Sequence, residues 1–280
     1  MRGLSASGRA GLALLLALAI AGALAPHLAS HDPLAIDLDA RLRPPGAGHW
    51  LGTDELGRDL LSRLIHATRP ALLTACLATA LSLLVGIPIG AAAGFAGSRV
   101  DLILSRLIEA ALSFPSLVLL LMLTAVAMGP TMGELPPGGA FRSVLVVGFA
   151  IGIARWGVIA RYMRGEVLRL ARSEMAMAAR AAGGTSLRIV ARHLIPAGIV
   201  PVSVSATFGA GSAVIAEASL SFLGMGVQPP APTWGQMIAS AASAGGECWW
   251  LLVFPGLMVA LLVAGFNLVG EGLRRSRDVR

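Results

Sequence analysis

The amino-acid sequence predicts an all-α, polytopic membrane protein with about six transmembrane helices. Three observations carry that fold class. Of 280 residues, 56% are apolar and 13% charged, against about 25% charged in an average soluble domain. Mean hydropathy is +0.77, and long runs almost free of charge approach or exceed the roughly 20 residues needed to cross hydrocarbon. Arginines collect in some connecting segments and avoid others.

The first run, Gly11 to Pro26, follows Arg2 and Arg9 and ends in Ala23-Leu24-Ala25. By itself it fits a signal peptide and a transmembrane helix equally well. Pro70 to Ser98 is free of charge, with Gly86, Gly90, Gly94 and Gly97 around Pro88. It can span with tilt or a kink, and glycines at four-residue intervals admit a neighbouring helix closely. Ala110 to Gly133 is the third run, broken at Pro115 and followed by Pro136-Pro137-Gly138-Gly139. Ser143 to Ala160, interrupted by Arg155, is the fourth; Leu194 to Ala216 and Cys248 to Gly270 are the fifth and sixth. Glu217 to Glu247, rich in Gly, Pro and Ser, reads as an irregular or re-entrant connection.

With the N-terminus inside, the inner segments hold two, two, eight and four arginines, sixteen against six outside. The excess belongs in the cytoplasm, so both termini are expected there. All 22 basic residues are arginine. Without lysine there is no G-x-x-x-x-G-K-[ST] phosphate loop and no Schiff-base chemistry, so any ATP that drives this protein is bound by another chain. A pI near 11.2 would suggest nucleic acid in a soluble protein; here it is the mark of arginine-rich loops, and no nucleic-acid partner is expected. Cys76 and Cys248 offer no metal-site spacing, and His27, His31, His49, His66 and His193 show none on one helix, so no metal site is predicted.

The longest polar loop, 161–196, holds the strongest local signal. From Glu166 to Ala182, Leu168, Ala171, Met175, Ala178 and Ala182 recur at helical spacing. Gly183-Gly184 ends that helix, Thr185 or Ser186 caps the next, and Pro196 closes it. The spacing equally supports an amphipathic helix lying on the inner leaflet. Among charges in or beside spans, Glu109 is expected to pair with Arg106 on one helix face, Arg155 to snorkel towards the inner face, and Glu217 to serve a structural network.

Three separated segments resemble a known family over nearly the whole chain. They are His49-Trp50-Leu51-Gly52-Thr53-Asp54-Glu55-Leu56-Gly57-Arg58-Asp59 through Arg63; Ala178-Ala179-Arg180-Ala181-Ala182-Gly183 through His193-Leu194-Ile195-Pro196; and Ala216-Glu217 through Phe222-Leu223-Gly224-Met225-Gly226 to Trp234-Gly235. Together they are similar to the inner-membrane permease subunits of ATP-binding-cassette importers, in the dipeptide, oligopeptide and nickel branch.

That resemblance implies a retained first helix and outer loop over 1–69, a transmembrane domain over 70–280, and a cytoplasmic coupling-helix loop over 161–196. It implies import of di- or oligopeptides across the bacterial cytoplasmic membrane by alternating access. The implied partners are a second permease in a heterodimer, two cytoplasmic ATPases that bind ATP and Mg, an external solute-binding protein and membrane lipid. This chain would then be no enzyme and hold no cofactor. In the coupling loop, Met175 and Met177 would supply flexible apolar contact, Ala178 and Ala179 close approach, Gly183 the turn and Pro196 the end. The family's glutamate falls on Met177, and its Asp-Pro tail is replaced by Ser276-Arg277-Asp278-Val279-Arg280. Gly52, Thr53, Asp54, Gly57, Arg58, Asp59, Glu217, Gly224, Gly226, Trp234 and Gly235 are the remaining motif positions, with Asp54 or Asp59 able to pair with Arg58 or Arg63. The Gly86 ladder would face either a helix of this chain or the second permease. A nickel or metal-chelate permease is the alternative within the family, and a secondary transporter the alternative outside it.

Overall fold

The computed structural model describes residues 5–129, 139–244 and 247–278. Helix α1 (Ala6–Ala23) starts on the side chain of Ser5, which accepts the Gly8 N–H. At its other end Arg69 donates to the Gly22 and Ala23 carbonyls, satisfying acceptors that a helix C-terminus leaves open. One turn, α2 (Ala25–Leu28), and a 3-10 turn at Leu38–Ala40 lead into α3 (Leu60–Phe95). The sequence places the start of this span at Pro70, ten residues late. Asp59 caps α3 through the Ser62 N–H. Pro70 removes one helical hydrogen bond, but Ala67, Ala71 and Ala75 are buried along the continuing face.

Helices α4 (Ser98–Ser113) and α5 (Ser116–Met128) meet at 87°. The third run, expected from Ala110, is broken at Pro115 into the end of α4 and all of α5, because proline disfavours helical backbone in the residue before it; the pair is a broken span or a re-entrant turn. At 13 residues, α5 is about 20 Å long, short of the roughly 30 Å hydrocarbon core. The expected loop at Pro130 and Pro136–Gly138 lies outside the described residues. Helix α6 (Gly139–Leu170) is followed by α7 (Glu174–Ala181), α8 (Ser186–Ile189), a π-helical segment (Val190–Leu194), α9 (Ile195–Phe222), α10 (Trp234–Ser243) and α11 (Trp249–Asp278). Among the described residues the extended pairing consists of two isolated bridges, Gly46 to His49 and Thr53 to Asp59.

Glycine positions fix how the helices stack. Gly86, Gly90 and Gly94 of α3 face Ile159, Met163 and Val167 of α6, and Gly148 and Gly152 of α6 face Leu77 and Leu81 of α3. A Cβ on Gly90 would stand 2.3 Å from the Ala160 carbonyl oxygen. The glycine ladder is therefore filled by this chain's own α6.

The order of these contacts makes α3 and α6 parallel. The chain must return to its starting end between them, within the stretch that holds α4, α5 and residues 130–138, the last outside the described residues. Helix α9 runs antiparallel to α6, with Gly198 against Met163 and Gly209 beside Arg155; α11 runs antiparallel to α9, with Gly211 against Val263 and Gly270 against Thr207. Helix α1 returns along α11, with Gly11 at Leu268, Leu15 at Gly265 and Gly8 at Gly272. Among the described residues five helices are long and apolar enough to cross a membrane, six with the bent pair as one span, and Ser5 lies at the same end as the end of α11.

Two apolar cores result. One gathers Leu60, Val147, Ile151, Leu220, Trp234 and Leu262; the other gathers Met163, Val167, Ile189, Leu194 and Val202. Large side chains such as Leu84 and Val126 point outward, as they can where the surrounding solvent is hydrocarbon. Two expectations change. The fifth span does not end at Ala216 but runs to Phe222, and the connection after it contains α10. The Thr233 side chain accepts the Gln236 N–H to start that helix, a Thr-x-x-Gln capping pattern visible in the sequence.

Candidate functional site

The first motif forms a ledge at one end of the bundle. Thr53 is fully buried; its hydroxyl donates to the Ala40 carbonyl and accepts the Arg43 N–H, while its own carbonyl accepts the Trp250 indole N–H at 3.1 Å. Asp54 accepts the Leu56 and Arg58 N–H groups on Oδ1 and the Arg58 Nε on Oδ2 at 2.8 Å. Arg63 Nε stands 3.4 Å from the same Oδ2. Asp54 is therefore the carboxylate that pairs with both arginines. Gly57 has φ +73°, and a Cβ there would overlap the Asp37 carbonyl, so only glycine closes the turn. A Cβ on Gly52 would stand 2.7 Å from the Arg43 carbonyl oxygen.

Asp59 pairs with neither arginine. Its Oδ2 accepts the Ser62 N–H and hydroxyl, and its Oδ1 lies 2.9 Å from His49 Nδ1 and 3.8 Å from His31 Nδ1. Burial by itself would raise this carboxyl. The hydrogen bonds from His49 and Ser62, with the charge of His31, outweigh it and hold Asp59 below its ordinary value of 3.8. Ligand-capable atoms of His31, His49 and Asp59 lie within 4.8 Å of one another. The sequence predicted no metal site because these residues come from separate loop positions, 18 and 10 residues apart, with no helical spacing. The folded ledge is what gathers them.

The third motif packs under the ledge. Glu217 is buried on α9 and accepts the Ser221 hydroxyl at 2.6 Å. Gly224, at C′, lets the chain leave α9, and the Met225 N–H closes onto the Leu220 carbonyl. A Cβ on Gly235 would stand 2.2 Å from the Ala218 carbonyl oxygen, and one on Gly226 2.1 Å from the Ser221 hydroxyl. Trp234 is buried and its indole N–H reaches the Leu64 carbonyl of α3 at 3.2 Å. These residues clamp α10 onto α9 and α3, beside the ledge, where Ser240 donates to Glu55.

At the opposite end, the expected single helix over Glu166–Ala182 is two helices. Helix α6 stops at Leu170 and Ser173 caps α7 by accepting the Ala176 N–H. A serine favours the cap over the helix interior because its hydroxyl competes for backbone donors. Ala176 is the buried residue of α7, Ala179 is half-buried, and Met175, Met177, Ala178 and Gly183 are exposed. Gly183 ends α7 with φ +78° and no atom within 4 Å of an added Cβ. Thr185 caps α8, and Pro196 is exposed on the first turn of α9. The turn is where the sequence predicted it; the apolar positions it grouped on one face are mostly exposed. Arg180 lies over the Phe95 ring at 5.5 Å, tying α7 to the end of α3.

Between the two cores lies a recess lined by Thr79, Ser82, Arg155, Ser205 and Gly209. A Cβ on Gly209 would be 3.7 Å from Arg155 Nη2. Arg155 therefore does not reach an end of the bundle, as snorkelling would require, but lies level with the middle of α9. The recess shares Thr79 and Ala206 with an apolar cleft of about 520 Å³ between α3 and α9, lined also by Leu83, Ile87, Ile199 and Phe266. Glu109 pairs with Arg106 at 3.0 Å on an exposed face, as its spacing indicates.

Residues 86–278 match the family model described as "Binding-protein-dependent transport system inner membrane component". The chain is 38% identical over 253 residues, 90% of its length and 80% of the relative's, to the probable D,D-dipeptide transport system permease protein DdpC of Escherichia coli. It is 34% identical over 268 residues, covering 96% and 84%, to the dipeptide transport system permease protein DppC of Alkalihalophilus pseudofirmus. With the di/tripeptide transport system permease protein DppC of Pseudomonas aeruginosa it shares 38% over 274 residues, covering 96% and 86%. A solved chain of the MetNI methionine ABC transporter, in an inward-facing conformation, superimposes with a TM-score of 0.57 at 18% identity, covering 78% of this chain and 96% of that one. At that identity the likeness speaks for the fold alone.

Proposed function

The chain belongs to the family of binding-protein-dependent transport system inner membrane components, and from that premise we propose that it is the permease subunit of an ATP-binding-cassette importer of di- or oligopeptides. The observation that carries this reading is identity of 34–38% over at least 90% of the chain to relatives named for dipeptide or di/tripeptide transport. The cleft between α3 and α9 supports it, since about 300–1,000 Å³ is the usual size of a small-molecule pocket.

In this reading the arginine-rich end, with both termini, faces the cytoplasm of a bacterium and the ledge faces outside. An external solute-binding protein docks on the ledge, two ATPases carrying ATP and Mg bind below, and a second permease completes a heterodimer around the path. This chain contributes no hydrolysis and no cofactor of its own. Its α7–Gly183–α8 element couples to the ATPases. The π-helical segment leads directly from α8 into α9, so displacement of the loop reaches a helix that borders the cleft. Differential binding of the partners and ATP to the inward- and outward-facing states supplies the driving energy.

One observation favours a second cargo, nickel or a metal chelate: the grouping of His31, His49 and Asp59 at the ledge. The test is to purify the chain with its partners, reconstitute the complex in liposomes and measure ATP-dependent uptake of a dipeptide and of nickel. Peptide uptake that requires ATP and the binding protein is the expected result. Uptake of nickel alone selects the second cargo, and transport by this chain without an ATPase overturns the importer reading.

A further inference from the structure

We propose that Arg155 is a carboxylate-binding station halfway across the membrane, taking the C-terminal carboxylate of the peptide in transit; this rests on the peptide-importer reading above. Residue 155 is at the middle of α6, and its guanidinium lies beside Gly209, at the middle of α9. A charge at that depth is costly unless it faces a water-filled path or a counter-ion.

No counter-ion is supplied by the described residues. Asp101 is held by Arg164, Glu109 by Arg106, and Glu217 bonds to Ser221. Arg155 itself makes no hydrogen bond or ion pair among the described residues. The hydroxyls of Thr79 and Ser82 donate to the Ala75 carbonyl and to those of Ala78 and Gly152. They leave the Arg155 guanidinium and the Ser205 hydroxyl as the donors of the recess without a partner among the described residues.

The surroundings suit a carboxylate on a moving peptide. A guanidinium offers a planar fork that matches a carboxylate with two parallel hydrogen bonds. Gly209 brings the α9 backbone close to the guanidinium, since a Cβ added there would lie in contact with Nη2 at 3.7 Å, and the recess holds about 10 Å³, room for one water-sized group. The recess continues past Thr79 and Ala206 into the apolar cleft, so a peptide anchored by its carboxylate has a surface for its side chains. A single arginine gives orientation without the closed cage that would prevent release.

The rival explanation is an acid of the second permease that pairs with Arg155 permanently. The complete reconstituted complex separates the two. Uptake of one dipeptide is compared in free-acid and C-terminal amide forms, with the binding protein loaded equally with each. The acid-to-amide uptake ratio is expected to fall about tenfold or more in Arg155→Gln, the scale of a lost close charge pair. Arg155→Lys should retain most of the preference. Gly209→Asp provides a second variant that keeps the arginine: its carboxylate is placed beside Nη2, where it should occupy the station and also lower the ratio. An unchanged ratio in Arg155→Gln and Gly209→Asp, including equal loss of both peptides, overturns the assignment while leaving the peptide reading intact. If the unmodified complex imports neither peptide, the functional reading fails and the station with it.

Discussion

Gly90 and Gly165 show why identical residues differ in consequence. A Cβ at Gly90 meets the Ala160 carbonyl at 2.3 Å, whereas at Gly165 it meets nothing within 4 Å. Gly90→Ala is expected to cost about 1–3 kcal/mol by overpacking the α3–α6 contact, seen as a lower thermal midpoint in detergent. Gly165→Ala should be neutral or slightly stabilising, since alanine restricts the unfolded chain and favours helix. Equal midpoints for the two variants would contradict the packing described.

Asp59 gives a pH-dependent prediction at the same scale. Because its folded carboxyl lies below the ordinary 3.8, its stabilisation is present above that value and lost as pH falls through the folded value. Thermal unfolding should therefore steepen towards instability below about pH 4, and Asp59→Asn should flatten that part of the profile. An unchanged acid limb in Asp59→Asn would show that the ledge does not depend on this charge.

At the scale of elements, the turn between α7 and α8 lets the proposed coupling role be tested apart from folding. Gly183 needs a positive φ but no small volume. Gly183→Trp should cost about 1–2 kcal/mol of local backbone strain and leave membrane insertion intact. Under the proposed importer reading, peptide uptake is expected to be abolished, because the indole would stand where the proposed ATPase contact is made. Normal uptake by an inserted Gly183→Trp protein would remove α7 and α8 from the coupling path. The break at Ser173 was missed in the sequence because an amphipathic repeat continues across it; the serine's cap, a local backbone competition, decides where α6 stops. In the bent pair, Pro115 was legible as a break, but the 87° angle depends on how α4 and α5 seat on α6.

At the scale of the whole molecule, the antiparallel seat of α1 on α11 places both ends of the described chain together. Single cysteines introduced at Ser5 and Ser276 should be labelled from the same side of the membrane, the cytoplasmic side if the arginine bias sets orientation. Labelling from opposite sides would require an odd number of crossings between them and contradict the antiparallel seat of α1 on α11. Gly265→Leu should loosen this seat, because a Cβ at 265 already meets Leu15 at 2.7 Å; increased protease cleavage of the first helix would report it.

The sequence by itself determined the class: hydropathy set the spans, arginine bias an orientation, and the three motifs a family resemblance. These signals are local or compositional, so they survive without coordinates. Tertiary structure alone decided which helices the glycine ladder joins, that Asp54 rather than Asp59 holds Arg58 and Arg63, and that Arg155 stays at mid-depth. It also gathered His31, His49 and Asp59. The physical reason is common to all four: each depends on side chains from different elements meeting in space, and a spacing rule along one chain carries no information about which surfaces meet.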